Sequence, residues 1–156
     1  MEQSIIRAAD NLLHHDAYLL EHDVNERSIT HQLAIHVKQQ FPTWDVDCEY
    51  NRNHALPKRL QLPAREDIRA DDLNATTVFP DIIVHHRGSD ENLVVIEVKK
   101  SSNRESDDRD HCKLSGFLKQ RGYRSGVFFR FRTGTAHLDY ERCFMRRQKR
   151  NSRIIS

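Results

Sequence analysis

Two short apolar runs separated by a polar segment stand out in the middle of the chain. The first run covers residues 79–84 and the second covers residues 93–99. Both are rich in β-branched side chains, and residues 87–91 between them are polar and include a glycine. Such a pattern is typical of two antiparallel strands joined by a short loop. We therefore predict a β-hairpin at the centre of the fold.

The position of the loop also predicts the register of this hairpin. A turn centred on Ser89 places Asp81 directly opposite Glu97. Because side chains alternate along a strand, Lys99 lies on the same face as Glu97, and Asp81 joins them there. Directly opposed Cβ atoms are roughly 4.5–5.5 Å apart, and two like charges at that distance destabilise a sheet. Solvent, protonation of one acid or a bound cation would relieve the repulsion.

The residues around the two acids favour one of these three ways of relieving the repulsion. Their neighbours along the strands are isoleucine, valine and leucine, so solvent is not the obvious answer. One lysine offsets only one of the two negative charges. A divalent-metal site at Asp81 and Glu97 is therefore our hypothesis, and a solvated cluster of ion pairs is its alternative.

Periodicity predicts the remaining elements. Apolar residues at helical spacing predict helices over residues 2–21 and 24–40. A third helix should begin near Ser106 or Asp107 and end before Gly122. Alternation predicts strands at residues 45–50, with its acids facing solvent, and at residues 123–132. Residues 136–147 fit either a final strand or a short helix, and residues 65–73 fit a short helix.

These elements predict a single domain with a mixed α/β architecture. A chain of 156 residues has room for one domain with a substantial core. The helix that precedes residues 123–132 makes a crossover, so this strand should pair in parallel with residues 93–99. The order is helix, helix, three strands, helix, strand. The first helix, at residues 2–21, and a basic C-terminal segment, at residues 133–156, lie outside the core.

Positive charge is concentrated towards the C-terminus, although the formal net charge is only +2. Residues 119–156 contain eleven Lys or Arg and only two acids. This imbalance predicts contact with a polyanion such as nucleic acid, with Arg146 and Arg147 among the contacts. Arg52 follows the first predicted strand, where it would reach a phosphate. A frayed tail and a surface turn are the alternatives for these arginines.

The cysteines and the N-terminus indicate a reduced, cytoplasmic protein. Cys48, Cys112 and Cys143 are scattered and form no Cys-x-x-Cys pair, so neither a zinc ribbon nor a disulfide framework is predicted. The first residues include two acids and lack the long apolar core of a signal peptide. No stretch approaches the ~20 apolar residues of a membrane span, and no membrane partner is expected.

The hairpin residues carry a resemblance to a known family. Pro80-Asp81, then fifteen residues, then Glu97-Val98-Lys99 resembles the motif of the PD-(D/E)XK nuclease superfamily, and in particular its small bacterial members. The resemblance covers about residues 24–132. It implies the restriction-endonuclease-like fold, whose αβββαβ core matches the predicted element order once the first helix is set aside.

The resemblance also implies a cofactor and a set of functional residues. Mg²⁺, for which Mn²⁺ would substitute, would be held by Asp81, Glu97 and the backbone carbonyl of Val98. Lys99 would orient the nucleophile or neutralise the transition state.

Glu26 and Lys113 each have two possible interpretations. Glu26 matches an accessory metal ligand that family members place on the helix before the sheet, and a capping role at the start of that helix explains it equally well. Lys113 matches a residue that steers the phosphate in related families, and a surface lysine is its alternative.

The function implied is a metal-dependent nuclease that hydrolyses phosphodiester bonds, with DNA favoured over RNA and a 5′-phosphate left on the product. The sequence leaves endonuclease and exonuclease activity open. One alternative is a non-cleaving nucleic-acid-binding module with the same fold. A second is an accessory subunit that is active only within a larger complex. Cleavage of both strands of a duplex by so small a domain would favour a homodimer.

Overall fold

A computed structural model describes residues 1–50, 52–53, 56–57, 59–60 and 76–148. Within these ranges the chain forms four helices and nine strands. The helices are α1 (Glu2–His15), α2 (Ala17–Glu21), α3 (Glu26–Gln40) and α4 (Asp108–Gln120). The strands are β1 (Asp45–Cys48), β2 (Arg52–Asn53), β3 (Leu56–Pro57), β4 (Arg59–Leu60), β5 (Thr76–Thr77), β6 (Ile82–His85), β7 (Asn92–Lys100), β8 (Ser125–Phe131) and β9 (Tyr140–Arg146).

Five of these strands form one mixed sheet in the order β1-β6-β7-β8-β9. Strands β6 and β7 form the predicted antiparallel hairpin. Strand β8 runs parallel to β7, as the intervening helix α4 predicts. Strands β1 and β9 form the two edges of this sheet and pair in antiparallel fashion with β6 and β8. The mixed α+β architecture is therefore confirmed, and the ambiguous segment at residues 136–147 contains a strand.

Helices cover both faces of the five-stranded sheet. Helices α1 and α3 share a hydrophobic core with Ile96 and Val98 of β7 on one face. Helix α4 shares a second core with Val95 of β7 on the opposite face. Because side chains alternate along a strand, Glu97 and Lys99 lie on the face that α4 covers. The sheet thus directs the acidic and basic residues of β7 towards a helix.

Helix α4 lies close to strand β8 because the strand has a glycine at the point of contact. A Cβ atom on Gly126 would lie 3.3 Å from Leu114 Cδ2 of the helix and 3.6 Å from Val95 Cγ1 of the next strand. The helix ends as predicted before Gly122, whose φ of +72° favours glycine. These two glycines fix the position of the helix that faces Glu97 and Lys99.

The predicted N-terminal helix is interrupted at one residue. Helix α1 ends at His15 and α2 begins at Ala17, with Asp16 between them at φ −120°. The Asp16 carboxylate lies 2.6 Å from His36 Nε2 on α3. Aspartate is a poor helix former and here has a partner outside its own helix. The prediction of one continuous helix over residues 2–21 was therefore wrong.

The first strand also differs from its predicted alternation. It ends at Cys48 because Glu49 takes a positive φ of +49°. Asp47 was predicted to face solvent, but its side chain is only 15% exposed and accepts hydrogen bonds from Arg87 and His85. Cys48, predicted to face inwards, is exposed. Arg87 and His85 come from the β6 end of the hairpin, and their hydrogen bonds to Asp47 allow the carboxylate to be buried.

Two sequence predictions fall on parts of the chain outside the described residues. They are the short helix at residues 65–73 and the last part of the basic C-terminal segment, residues 149–156. None of the helices in the described ranges has the length and apolar character needed to cross a membrane.

Candidate active site

The hairpin places Asp81 and Glu97, here called the acid pair, beside each other on the face covered by α4. Ile82, the first residue of β6, pairs with Ile96. Asp81, which immediately precedes β6, therefore comes opposite Glu97. The Asp81 carboxylate accepts a 2.7 Å hydrogen bond from the backbone N–H of Val98, which holds it against strand β7. The predicted register is therefore confirmed over residues 82–84, and it shifts by one residue at the loop end, where His85 pairs with Asn92.

Pro80, which precedes Asp81, has a physical role in this arrangement. Continuation of the same register brings Val98 opposite Pro80, and proline has no N–H to donate. The carbonyl and N–H of one strand residue point to the same side of the strand. Since the Val98 N–H points to Asp81, the Val98 carbonyl also faces this side and receives no ladder bond from Pro80. The Val98 carbonyl thus faces the side of the strand on which the Asp81 carboxylate lies.

Burial makes the acid pair electrostatically costly. Glu97 is completely buried, and its Oε1 has no hydrogen-bond partner among the described residues. Burial raises the pKa of Glu97 well above its ordinary range, the charge of Asp81 raises it further, and Lys113 opposes both effects. Burial also raises the pKa of Asp81 to about 6, although Lys113 and the Val98 N–H act in the opposite direction. Both shifts indicate a site that would be stabilised by an additional positive charge.

Lys99 forms its contacts around the start of α4. Its Nζ lies 2.7 Å from Asp110 Oδ2 and 3.5 Å from Asp107 Oδ1. It also donates to the backbone carbonyls of Glu105 and Ser106, at 3.3 and 2.9 Å. These four contacts hold the Lys99 ammonium group around the start of α4. Lys99 thus shares the face of the acid pair, as predicted, but its ion pairs are with Asp107 and Asp110. Its catalytic role stays a prediction.

Lys113 occupies the position beside Glu97 instead. Its Nζ donates to Glu97 Oε2 and lies 3.8 Å from Asp110 Oδ1. Burial lowers the pKa of Lys113, but the neighbouring carboxylates of Glu97 and Asp81 outweigh burial and raise it on balance. The side chain is only 13% exposed, so the interpretation of Lys113 as a surface lysine is wrong.

Asp110 joins the two lysines, and the sequence did not single it out. From the first turn of α4 it contacts Lys99 and Lys113 at the same time. Its signal was the spacing of three residues between Asp110 and Lys113, which places both on one face of a helix. We call Asp81, Glu97, Asp110, Lys99 and Lys113 the charged cluster. With all five ionised, it carries one net negative charge.

Glu26 contacts the end of strand β7 from the start of α3. The cap of α3 is Asn25, whose Oδ1 accepts a 2.9 Å hydrogen bond from the Ser28 N–H. The Glu26 carboxylate accepts instead from the Lys100 N–H at 3.1 Å and lies 3.5 Å from Asn103 Nδ2. The capping interpretation of Glu26 is therefore wrong.

Glu26 is also close enough to influence the acid pair. Burial is the main cause of the raised pKa of Asp81, and the charge of Glu26 contributes to it. Its predicted role as an accessory metal ligand stays a prediction.

Two of the predicted arginines, Arg146 and Arg147, have their contacts away from the acid pair. Arg146 extends from β9 towards α1, on the opposite face of the sheet, and its Nη2 lies 2.8 Å from Glu2 Oε1. Arg147 donates to the carbonyl of Gly122, beyond the C-terminal end of α4. Arg52 lies in β2, and its side chain is outside the described residues. A nucleic-acid contact by these arginines stays a prediction.

The acid pair meets the needs of one kind of cation. In the described ranges, no three or more His, Cys, Asp and Glu side chains converge into a metal-binding group. Mg²⁺ does not require such a group, because it commonly uses one or two carboxylates and keeps several waters. The two carboxylates, with Glu97 Oε1 lacking a partner among the described residues, are oxygen donors of the kind that a hard divalent cation takes.

No protein-family model, no curated protein and no solved structure matches this chain.

Proposed function

We propose that this protein is a metal-dependent nuclease that hydrolyses phosphodiester bonds in nucleic acid, with DNA favoured over RNA. The observation that carries the proposal is the buried acid pair. A sheet that opposes two carboxylates, and leaves one oxygen of Glu97 without a hydrogen-bond partner among the described residues, is destabilised unless a cation or proton occupies the site. A divalent cation bound at this site could act on a phosphate group.

The order of elements supports the proposal. From α3 to β8, the helices and the strands of the large sheet follow the order helix, three strands, helix, strand. This is the order of the restriction-endonuclease-like core that the Pro80-Asp81 and Glu97-Val98-Lys99 motif implies. Asp81 immediately precedes the second of those strands, and Glu97 lies on the third.

The residues of the site have separate roles in this proposal. Asp81, Glu97 and the Val98 carbonyl would hold Mg²⁺ or Mn²⁺. Such an ion would stabilise charge developing on the phosphate and lower the pKa of a water molecule. Burial strengthens the interaction of the carboxylates with a cation, because it removes competing solvent. Lys99 would neutralise charge on the phosphate, and Asp110 keeps its ammonium group on the same face as the acid pair.

Cleavage assays on purified protein test the proposal. Single-stranded DNA, duplex DNA and RNA are each incubated with Mg²⁺, Mn²⁺ or EDTA. We expect metal-dependent cleavage by the wild type and a loss of at least about 100-fold in Asp81→Asn. Glu91→Gln, which changes an exposed carboxylate in the same hairpin, should cleave like the wild type. Absence of metal-dependent cleavage, or full activity of Asp81→Asn, would overturn the proposal.

A non-cleaving nucleic-acid-binding module is the second candidate, and one observation favours it. Lys113 already neutralises Glu97, so the charged cluster is close to balance without a metal ion. The basic C-terminal segment would then bind phosphate without a metal ion. Calorimetric titration with Mg²⁺ and Mn²⁺ separates the candidates. Nucleic-acid binding without metal uptake would favour the binding module.

A further inference from the structure

Lys113 is the cation that lies against Glu97 in the structure. Its ammonium group donates to Glu97 Oε2, whereas Oε1 of the same carboxylate has no partner among the described residues. The charges of Glu97 and Asp81 both act on Lys113. The lysine therefore serves as a counterion to the acid pair.

Asp110 offers the same lysine a second position. Asp110 Oδ1 lies 3.8 Å from Lys113 Nζ, one helical turn away on α4. A lysine side chain has four flexible carbons, so its ammonium group can move between two nearby carboxylates while the helix stays in place. Lys99 pairs with the other oxygen, Asp110 Oδ2. Asp110 can therefore accept Lys113 while it retains Lys99.

Lys113 needs this second carboxylate when a divalent cation binds to Glu97, because the two positive charges repel each other. The ion and the Lys113 ammonium group would both lie against Glu97, and like charges at contact distance in a buried site repel strongly. A displaced lysine would be buried without a partner if no other carboxylate were near. Asp110 supplies that carboxylate.

We propose that Lys113 is an internal counterion that a divalent cation displaces from Glu97 onto Asp110. Metal binding and the Lys113–Glu97 ion pair are then mutually exclusive, and Asp110 is a positioning residue that makes the exchange possible. This inference rests on the proposed function, because it uses the metal site of the nuclease.

Titration with Mn²⁺ by calorimetry, on the full chain and without nucleic acid, tests the exchange. Lys113→Gln removes the competitor, so we expect it to bind Mn²⁺ at least tenfold more tightly than the wild type. Lys119→Gln, which neutralises an exposed lysine on the same helix, should match the wild type. A Lys113→Gln affinity no higher than that of Lys119→Gln, including no binding by either, overturns the proposal.

A second variant keeps the test valid if Lys113→Gln does not fold. Lys113→Arg retains the positive charge but forms a stronger, bidentate pair with a carboxylate. We expect it to bind Mn²⁺ severalfold more weakly than the wild type. Equal or tighter binding by Lys113→Arg would contradict the competition.

The role of Asp110 is tested by a double-mutant cycle. Asp110→Asn alone should weaken Mn²⁺ binding about tenfold, because the displaced lysine loses its acceptor. The same change in the Lys113→Gln background should have little effect, because no lysine remains to be displaced. A merely structural role for Asp110 would weaken binding equally in both backgrounds, and that result would overturn the acceptor role.

Failure of this inference can be distinguished from failure of the nuclease proposal. Tighter Mn²⁺ binding by Lys113→Gln, combined with no cleavage by the wild type, supports the exchange and overturns the nuclease. Cleavage by the wild type, combined with unchanged Mn²⁺ affinity in Lys113→Gln, supports the nuclease and overturns the exchange.

Discussion

The Lys99 ammonium group lies 2.7 Å from an Asp110 carboxylate oxygen, so the lysine of the central hairpin is held by helix α4. The same group donates to two backbone carbonyls in the loop that joins β7 to α4. One side chain therefore fixes the end of the strand, the loop and the start of the helix. Lys99 has a structural role that is separate from any chemistry on a phosphate.

Replacement of Lys99 by methionine should reduce stability as well as any activity. Lys99→Met keeps much of the buried volume but removes the hydrogen bonds of a charged group. We expect the free energy of unfolding to fall by about 1–3 kcal/mol, measured by urea denaturation at pH 7. Lys119→Met, at an exposed position of α4, should change it by less than about 0.5 kcal/mol. Equal stability of the two variants would show that Lys99 is not required for folding.

The contact between α4 and the sheet predicts a graded effect at Gly126. Gly126→Ala adds one carbon 3.3 Å from Leu114 Cδ2, and Gly126→Val adds two more. Overpacking of this kind typically costs about 1–3 kcal/mol, so we expect that loss for valine and a smaller effect for alanine. Urea denaturation of both variants measures the gradient. A valine variant as stable as the alanine variant would show that the helix is free to move away.

Asp47 predicts a dependence of stability on pH. Burial raises the pKa of Asp47, but hydrogen bonds from Arg87 and His85 outweigh burial and lower the pKa on balance. A carboxyl whose folded pKa lies below its unfolded value, about 3.9, stabilises the fold above that pH. This contribution is lost as the pH falls through the lower folded pKa.

The test of this prediction is the change Asp47→Asn measured across a pH range. We expect it to cost about 1 kcal/mol at pH 7, because Arg87 is largely exposed and the pair is screened. The difference from the wild type should shrink below pH about 4, where the carboxyl takes up a proton in the unfolded chain before it does so in the folded protein. Glu91→Gln is the matched exposed control. A difference that persists unchanged to pH 3 would contradict the role of the charge.

The hairpin register could be predicted because it is a local property. A short polar loop and strict alternation were enough to place Asp81 opposite Glu97, and Ile82 pairs with Ile96 as that register requires. No distant part of the chain has to be known for this step. The same holds for the end of α4 before Gly122, because the signal lies within the helix and its next residues.

The partners of long side chains could not be predicted in the same way. Strand alternation gives the face of Lys99, but its ammonium group lies at the end of a flexible stem and its partner, Asp110, is on α4. The burial of Asp47 depends on Arg87, 40 residues away, and the break at Asp16 on His36, 20 residues away. Such pairings depend on how the elements pack, and a pattern along one segment does not contain that information.

We expect the arginines of the C-terminal segment to affect the affinity for nucleic acid and not the rate of cleavage. Arg146 and Arg147 lie away from the acid pair, and Arg146 is 75% exposed. We expect the double change Arg146→Gln with Arg147→Gln to raise the Kd for DNA severalfold and to leave the cleavage rate at saturating substrate unchanged. Loss of one or two phosphate contacts should reduce the slope of log affinity against log salt by about 1–2.

A change at Glu2 should have the opposite effect on the affinity for DNA and serves as a control. Its carboxylate holds the Arg146 guanidinium at 2.8 Å, and an exposed ion pair of this kind is weak. Glu2→Gln should release Arg146 and lower the Kd modestly, by removing a negative charge from the binding surface. Kd is measured by fluorescence anisotropy in a metal-free buffer at several salt concentrations. If the double arginine variant binds like the wild type at every salt concentration, the basic segment does not contact nucleic acid and binding must depend on residues elsewhere in the chain.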